Sequence, residues 1–251
     1  MNREEELFQK RLKDLANMAD RRNIVMFTDF LNLNELNIYH STARELAFVN
    51  CKTYGGYENA ERQIIAFIPD ALSYEYQYPI SCIKITPIQQ KFADRLSHRD
   101  YLGAVLNLGI ERSVIGDIVT FDGGAWLFCL EKMADFICSE LTRIKHTQVN
   151  AVCVSSQEIQ VIPEFEIVRG SVASVRLDSV LALAFGSSRS SLVGLIEVGK
   201  VFVNGRMVTS NGYKLKEQDL ISARGLGRCR FLGISSSTRK GRLIAELEKY
   251  I

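Results

Sequence analysis

Cationic side chains recur through residues 174–230, among them Arg176, Arg189, Lys200, Arg206, Arg224, Arg228 and Arg230. Such groups make and break no bonds at this spacing; they hold anions, and arginine does so through a planar fork that matches phosphate oxygens. At Ser188-Arg189-Ser190 three features favouring phosphate coincide. A helix start exposes unpaired N–H groups, the hydroxyls donate hydrogen bonds, and the arginine supplies charge. Residue types that catalyse do not assemble in the same way. His98 and Asp100 stand at a helix start, where Ser97 is placed to cap and Asp100 to complement the positive helix end. No nucleophile–base pairing accompanies them. The six cysteines, at 51, 82, 129, 138, 153 and 229, include no C-x-x-C pair, and His40, His98 and His146 do not cluster with them. No zinc site is expected from these spacings. Runs such as Leu127-Phe128-Cys129-Leu130 and Val152-Cys153-Val154 predict buried, reduced thiols. The Gly55-Gly56 pair lacks the following helix and lysine of a phosphate loop and reads as a hinge or loop.

The elements that must position the cations follow from local chemistry. A helix is predicted from about Arg176 to Phe185, closed by Gly186, which tolerates a left-handed backbone. Ser187 or Ser188 caps a second helix whose Leu192, Leu195 and Ile196 share one face. Gly199 ends it. Val201–Val203 and Met207-Val208 read as strands joined at Asn204-Gly205, a strong hairpin signal. Leu220–Ser222 reads as a further strand, and Gly225 and Gly227 bracket a turn before Arg228.

This pattern resembles the S4 RNA-binding domain. The resemblance rests on Arg176-Leu177-Asp178, Ser188-Arg189, Ile196, Gly199, Val201, Val203-Asn204-Gly205 and Asp219-Leu220-Ile221, in matching order and spacing. It identifies Arg176 and Arg189 as the leading RNA-contact residues, supported by Ser188 and Ser190, with Lys200, Asn204, Arg206, Arg224 and Arg228 as a second tier. An ion pair of Arg176 with Asp178 or Asp219 is the structural alternative. Gly194, in the middle of the second helix, costs roughly 1 kcal/mol of helix propensity relative to Ala, and no RNA contact is expected there.

Composition agrees with a polyanion partner. The chain has 251 residues, 47% hydrophobic and 24% charged, with net charge +2. That charge is uneven: residues 171–251 carry +7 and residues 1–170 carry −5. A basic module on an acidic body suits counterion release from a phosphate backbone. The opening MNREEELFQKRLKDL is charged and lacks the apolar core of a secretory signal. No eighteen-residue apolar stretch is present, so a cytoplasmic protein is expected, without membrane partners or cofactors.

Upstream, residues 1–57 read as mainly helical, with Asn34 able to cap a helix, and residues 58–170 as an α+β domain. Its predicted elements are strands at 63–68 and 82–86, a helix at 98–108, strands at 117–121 and 125–129, a helix at 131–144 and a strand at 149–154. This order implies helices on one face of a mostly antiparallel sheet, close to the ferredoxin-like arrangement of RNA-recognition-motif (RRM) domains. No strand carries alternating aromatic and basic residues, so Phe67, Trp126 and Phe128 are assigned to the core rather than to base stacking. A boundary is placed near Gly170. The S4 module occupies 171–251, with Ser235–Arg242 turning a terminal hairpin whose return strand alternates Leu243, Ala245 and Leu247.

With Gly55–Arg62, and with Ser97–Arg112 followed by Ile115-Gly116-Asp117-Ile118, nearly the whole chain resembles the YlmH family of bacterial S4-domain proteins. The resemblance implies a helical N-terminal part, an RRM-like middle domain and a C-terminal S4 domain. It implies a non-enzymatic RNA-binding protein with ribosomal RNA and tRNA as partners, and a monomer is expected. Members of the family are associated with stalled large ribosomal subunits carrying peptidyl-tRNA, in ribosome-associated quality control, and their genes are linked to cell division. Two alternatives stay open. One is an RNA-modifying enzyme with an S4 anchor, for which Arg176-Leu177-Asp178 superficially resembles a pseudouridine synthase motif. The other is a cell-division interaction protein.

Overall fold

Strand pairing divides the first 155 residues differently from the linear pattern. The computed structural model describes residues 3–70, 74–155, 165–238 and 241–250. The chain forms two compact units, Met1–Val161 and Ile162–Ile251. Among the described residues no helix is long and apolar enough to cross a membrane.

The first unit opens with α1 (Arg3–Arg22), β1 (Met26–Phe27), α2 (Leu33–Thr42), β2 (Asn50–Tyr54) and β3 (Ile64–Ile68). Helix α1 has Glu4, Glu5 and Glu6 in its first turn and Arg21 and Arg22 in its last, which complements the helix dipole. The N-cap of α2 is Asn32 rather than Asn34. Its carboxamide accepts from the N–H groups of Asn34 and Glu35, and Glu35 accepts from Asn32 N–H at 2.7 Å. The region is therefore not simply helical: its helices cover a sheet of order β1-β3-β2. β3, expected in the middle domain, is the centre of this sheet, with Phe67 opposite both Met26 and Cys51. An all-apolar strand signals cover on both faces but not which neighbours supply it.

The middle sheet comprises β4 (Ile80–Pro87), β5 (Ile115–Phe121), β6 (Gly124–Leu130), β7 (Arg143–Ile144) and β8 (Thr147–Val154). Helices α3 (His98–Leu106) and α4 (Glu131–Glu140) connect it. The order β5-β6-β4-β8-β7, antiparallel throughout, is the ferredoxin-like arrangement plus one edge strand. Tyr101, Val105, Ala134 and Ile137 from the helices pack on Ile83, Ile85, Leu127 and Val149. α4 stops four residues short of Ile144, because Arg143-Ile144 leaves the helix to pair with Gln148 and Thr147. The opposite sheet face is partly covered: Phe30 and Ile64 pack with Cys82, Trp126 and Phe128. Phe67 and Phe128 are wholly buried and Trp126 nearly so. Cys82, Cys129 and Cys229 are buried as expected, whereas Cys51 and Cys138 are half-buried and Cys153 is exposed.

Arg62 joins the two halves of this unit. Its guanidinium donates to the carbonyls of Phe30, Ile115 and Arg112 at 2.9, 2.8 and 3.1 Å. Asp117 faces the same segment, accepting from Tyr57 hydroxyl and from the N–H groups of Glu61 and Arg62.

The second unit is a six-stranded antiparallel sheet, β11-β10-β12-β13-β14-β9, under a helical pair. Its elements are β9 (Phe165–Val172), α5 (Leu177–Phe185), α6 (Arg189–Glu197), β10 (Val201–Val203), β11 (Arg206–Met207), β12 (Leu220–Ala223), β13 (Gly227–Ser237) and β14 (Leu243–Tyr250). Leu177, Val180, Leu181, Leu192 and Ile196 bury against Val201, Val203, Ile221, Cys229 and Leu247. The expected boundary at Gly170 falls inside β9, where Gly170 lies opposite Ala245, and a Cβ there would stand 2.3 Å from Leu183 Cδ1, so that side chain would have to move aside. Pro163, and Arg239 and Lys240 of the terminal loop, lie outside the described residues.

Two stability predictions follow from these contacts. Arg62→Met strips donors from three carbonyls and should lower the stability of the first unit by about 3–5 kcal/mol, with Arg62→Lys recovering only part. Urea unfolding followed through Trp126, the single tryptophan, reads this directly; an unchanged midpoint would contradict it. Gly194→Ala meets open space and should stabilise α6 by up to about 1 kcal/mol, seen as slower amide exchange across that helix.

Candidate nucleic-acid interface

Arg176, Arg189, Lys200, Arg206, Arg224 and Arg228 stand at or beside element ends, whereas Arg169 and Arg230 lie within β9 and β13. Arg176 is the N-cap of α5, with extended backbone at φ −106° and ψ 146°. Leu177 N–H donates to Tyr213 carbonyl and Asp178 N–H to Asn211 carbonyl, while Asn211 amide donates to Glu197 carboxylate at 3.0 Å. One loop thus ties the start of α5 to the end of α6. Gly186, at φ 60°, turns the chain at the other end of the pair. Arg176 and Ser188-Arg189-Ser190 therefore lie at opposite ends of the helical hairpin, about 13 Å apart for a nine-residue helix. That separation is wider than a single phosphate group.

At the second of these ends Ser188 caps α6, its hydroxyl accepting from Ser191 N–H at 3.3 Å. The hydroxyls of Ser188 and Ser190 lie 3.1 Å apart, and both residues are exposed. The side chain of Arg189 lies outside what is described. At the first end the ion pair left as an alternative is present. Arg176 Nε and Nη2 reach the two Asp178 carboxylate oxygens at 3.1 and 3.3 Å. Asp178 is buried, with 8% of its side chain exposed, whereas Arg176 retains 45%. Asp219, the other possible partner, is engaged elsewhere: it accepts from Asn204 amide at 2.8 Å and from Lys216 N–H at 2.8 Å.

Asn204 and Gly205 both take positive φ, 50° and 76°, which gives a two-residue turn of the type that matches strand twist. The Asn204 carboxamide is used within the module, donating to Asp219 and accepting from Leu220 N–H at 2.9 Å. It shapes the hairpin that carries exposed Arg206. Lys200 and Arg224 are exposed neighbours, linked by Arg224 N–H to Lys200 carbonyl at 2.9 Å. Phe202 pairs with Ser222, and Ser222 with Arg228, so these three share the sheet face opposite Val201 and Val203. Arg224 lies over the Phe202 ring at 5.2 Å and Arg228 over Tyr250 at 5.3 Å. Seating on the Phe202 ring restricts the exposed Arg224 guanidinium. Phe202 and Tyr250 are the supports that sequence reasoning missed. Phe202 was readable from strand alternation, standing out of phase with Val201 and Val203. Tyr250 required the β13–β14 pairing.

Asp100 pairs with Lys145 and accepts from Ser97 N–H and hydroxyl, which together hold its carboxyl down at about 2. Burial, aided by Arg112, lowers His98.

Three family models match this chain. They are described as "YlmH, N-terminal" over residues 4–72, "Putative RNA-binding domain in YlmH" over 74–158, and "S4 domain" over 175–221. The first two meet beyond β3, in keeping with its pairing to β1 and β2. The "Ribosome-associated protein quality control protein P2" of Bacillus subtilis (strain 168) is 30% identical over 226 residues, covering 88% of this chain and 86% of that one. The solved structure "Cell division protein ylmH from Streptococcus pneumoniae" matches at TM-score 0.51 and 22% identity, over 64% of this chain and 97% of that one. At that identity the likeness concerns fold alone.

Arg176 is thus expected to act on folding as well as on binding. Arg176→Ala leaves the buried Asp178 carboxylate without its fork and should cost about 1–2 kcal/mol, less than for a fully buried pair because Arg176 is half exposed. Lys200→Ala and Arg206→Ala should stay within about 0.5 kcal/mol of wild type. Comparing the three by thermal unfolding checks this, and equal stability would show that the ion pair contributes nothing.

Proposed function

This chain belongs to the YlmH family of RNA-binding S4-domain proteins, and from that premise we propose that it acts without catalysis, docking on large-subunit ribosomal RNA beside peptidyl-tRNA. The setting is ribosome-associated quality control on stalled subunits in the cytoplasm. The observation that carries this reading is the rim of element-end cations on the S4 module, together with the ribosomal quality-control name of the Bacillus relative. Helical RNA conceals its base edges in a deep major groove, so a protein reads its shape through phosphates and 2′-hydroxyls. Cations at the two ends of a hairpin about 13 Å long suit contact with separate phosphates. A non-enzymatic role is supported by Asp178. In the Arg176-Leu177-Asp178 sequence this carboxylate is buried and bound by Arg176 and by Ser179 N–H, not presented to a substrate.

The cell-division name of the pneumococcal structure favours a second reading, in which the chain binds division proteins and RNA is incidental. Division proteins recovered with it after nuclease treatment, with no ribosomal RNA present, would support that reading.

The primary test is sedimentation of tagged full-length protein with large ribosomal subunits. Lys200→Ala/Arg206→Ala/Arg224→Ala is the informative variant, because it spares the Arg176–Asp178 pair. Wild type should co-migrate with the large subunit and the variant should not. The salt dependence of binding should lose about one unit of slope per phosphate contact removed. Migration of wild type solely as free protein would overturn the ribosomal assignment.

A further inference from the structure

The middle sheet presents a second surface that the S4 reading does not use. On β7, β8 and β4, Arg143 pairs with Gln148, Asn150 with Thr86, and Val152 with Lys84. Ile88 N–H donates to Gln148 carbonyl at 3.0 Å, extending the ladder one step. Directly paired residues on antiparallel strands share a face. This face is opposite Ile83, Ile85, Val149 and Ala151, which lie in the core beneath the helices. Its outward positions from Lys84 to Ile88 and from Gln148 to Val152 contain no carboxylate. Ile88 is 61% exposed and Val152 48% exposed, unusual for aliphatic side chains set among polar ones.

The central strands are closed to a stacking base. Tyr57 stacks on the buried Phe128 at 5.0 Å, and Lys84 Nζ lies over Trp126 at 5.3 Å and Phe121 at 5.9 Å. At the β7–β8 end, however, the open face deepens into a cleft of about 320 Å³. It is lined by Ile88, Gln89, Arg143, His146, Thr147 and Gln148. That volume is at the small end of ligand clefts. Its wall is braced. Asp94 carboxylate accepts from His146 N–H and Thr147 hydroxyl at 3.1 Å each, and Asp94 N–H donates to Thr147 Oγ1 at 2.8 Å. Arg143 Nε donates to Lys145 carbonyl at 2.8 Å, orienting the guanidinium.

We propose that this cleft holds one unstacked nucleotide of an RNA strand, which continues along Asn150 toward Lys84. The exposed Ile88 side chain offers an apolar face to the base. The Gln89 and Gln148 carboxamides each supply a donor and an acceptor for a base edge. Arg143 and His146 supply cationic or N–H donors for the phosphate. Unpaired bases in loops and ends are what proteins read in RNA by such edge contacts. The proposal rests on the RNA-binding reading and adds a contact outside the S4 module.

The test uses full-length protein and a short single-stranded RNA of mixed sequence carrying 4-thiouridine. Fluorescence anisotropy should give about tenfold weaker binding for Arg143→Ala and for Gln148→Ala. Gln148→Ala removes no structural side-chain bond and guards against a folding artefact. Photocrosslinks should map to residues 88–89 and 143–148. Wild-type-like binding by both variants, with crosslinks confined to residues 176–230, would overturn the cleft and leave the S4 interface standing. Failure of wild type to bind any RNA, together with its absence from large subunits, would sink both. Crosslinks in the cleft with about tenfold loss in both variants would establish it.

Discussion

The first unit depends on how one buried guanidinium is satisfied. Taking a guanidinium out of water is costly unless its donors find acceptors. Arg62 finds three backbone carbonyls, from the N-terminal segment at Phe30 and from the middle domain at Arg112 and Ile115. Burial pushes its pKa down, while the charges of Glu35, Asp117 and Glu61 oppose the shift. Asp117 closes the junction from the other side through Tyr57, Glu61 and Arg62. The two segments can approach this closely because glycines line the seam. A Cβ on Gly56 would stand 2.4 Å from the Phe128 ring, and one on Gly116 would stand 2.7 Å from the Phe30 ring. Of the blocks that carry the family resemblance upstream of the S4 module, Gly55–Arg62 and the stretch from Arg112 to Asp117 are therefore parts of this junction, while Tyr101 and Val105 belong to the core of the middle domain.

The junction has a functional consequence. By seating Tyr57 and Phe30 against the middle sheet, it occupies the strand face on which an RRM-like domain would stack bases. RNA recognition is left to surfaces the junction does not cover. The same economy appears in the S4 module. Asp178 orients Arg176, Asp219 fixes the Asn204 turn, and Phe202 and Tyr250 seat Arg224 and Arg228. Cations held before RNA arrives lose less side-chain entropy on binding. In the proposed interface their charge would contribute through counterion release from the phosphates.

Local chemistry made much of this legible in advance. Gly186, Ser188 and Asn204-Gly205 each act within a few residues, so the helical pair and hairpin of the S4 module follow from the sequence nearly residue by residue. The ferredoxin-like strand–helix order follows from the alternation of periods two and 3.6. The placement of Arg176, Ser188 and Arg206 at element starts is equally local, since caps and turns fix those starts.

What the sequence could not decide was partnership across distance. It showed that residues 64–68 form a buried strand, but only the folded sheet assigns that strand to β1 and β2. It offered Gly170 as a boundary, whereas pairing opposite Ala245 of β14 makes it part of β9. It left Arg176 between two aspartates; tertiary geometry chose Asp178 and gave Asp219 to Asn204. It read residues 141–144 as helix because a hairpin partner arriving from β8 leaves no mark on local propensity. The reason is common to these cases. Caps and turns are satisfied by neighbouring backbone groups, whereas strand pairing and buried charge are satisfied by groups tens of residues away, which only the fold brings within hydrogen-bonding distance.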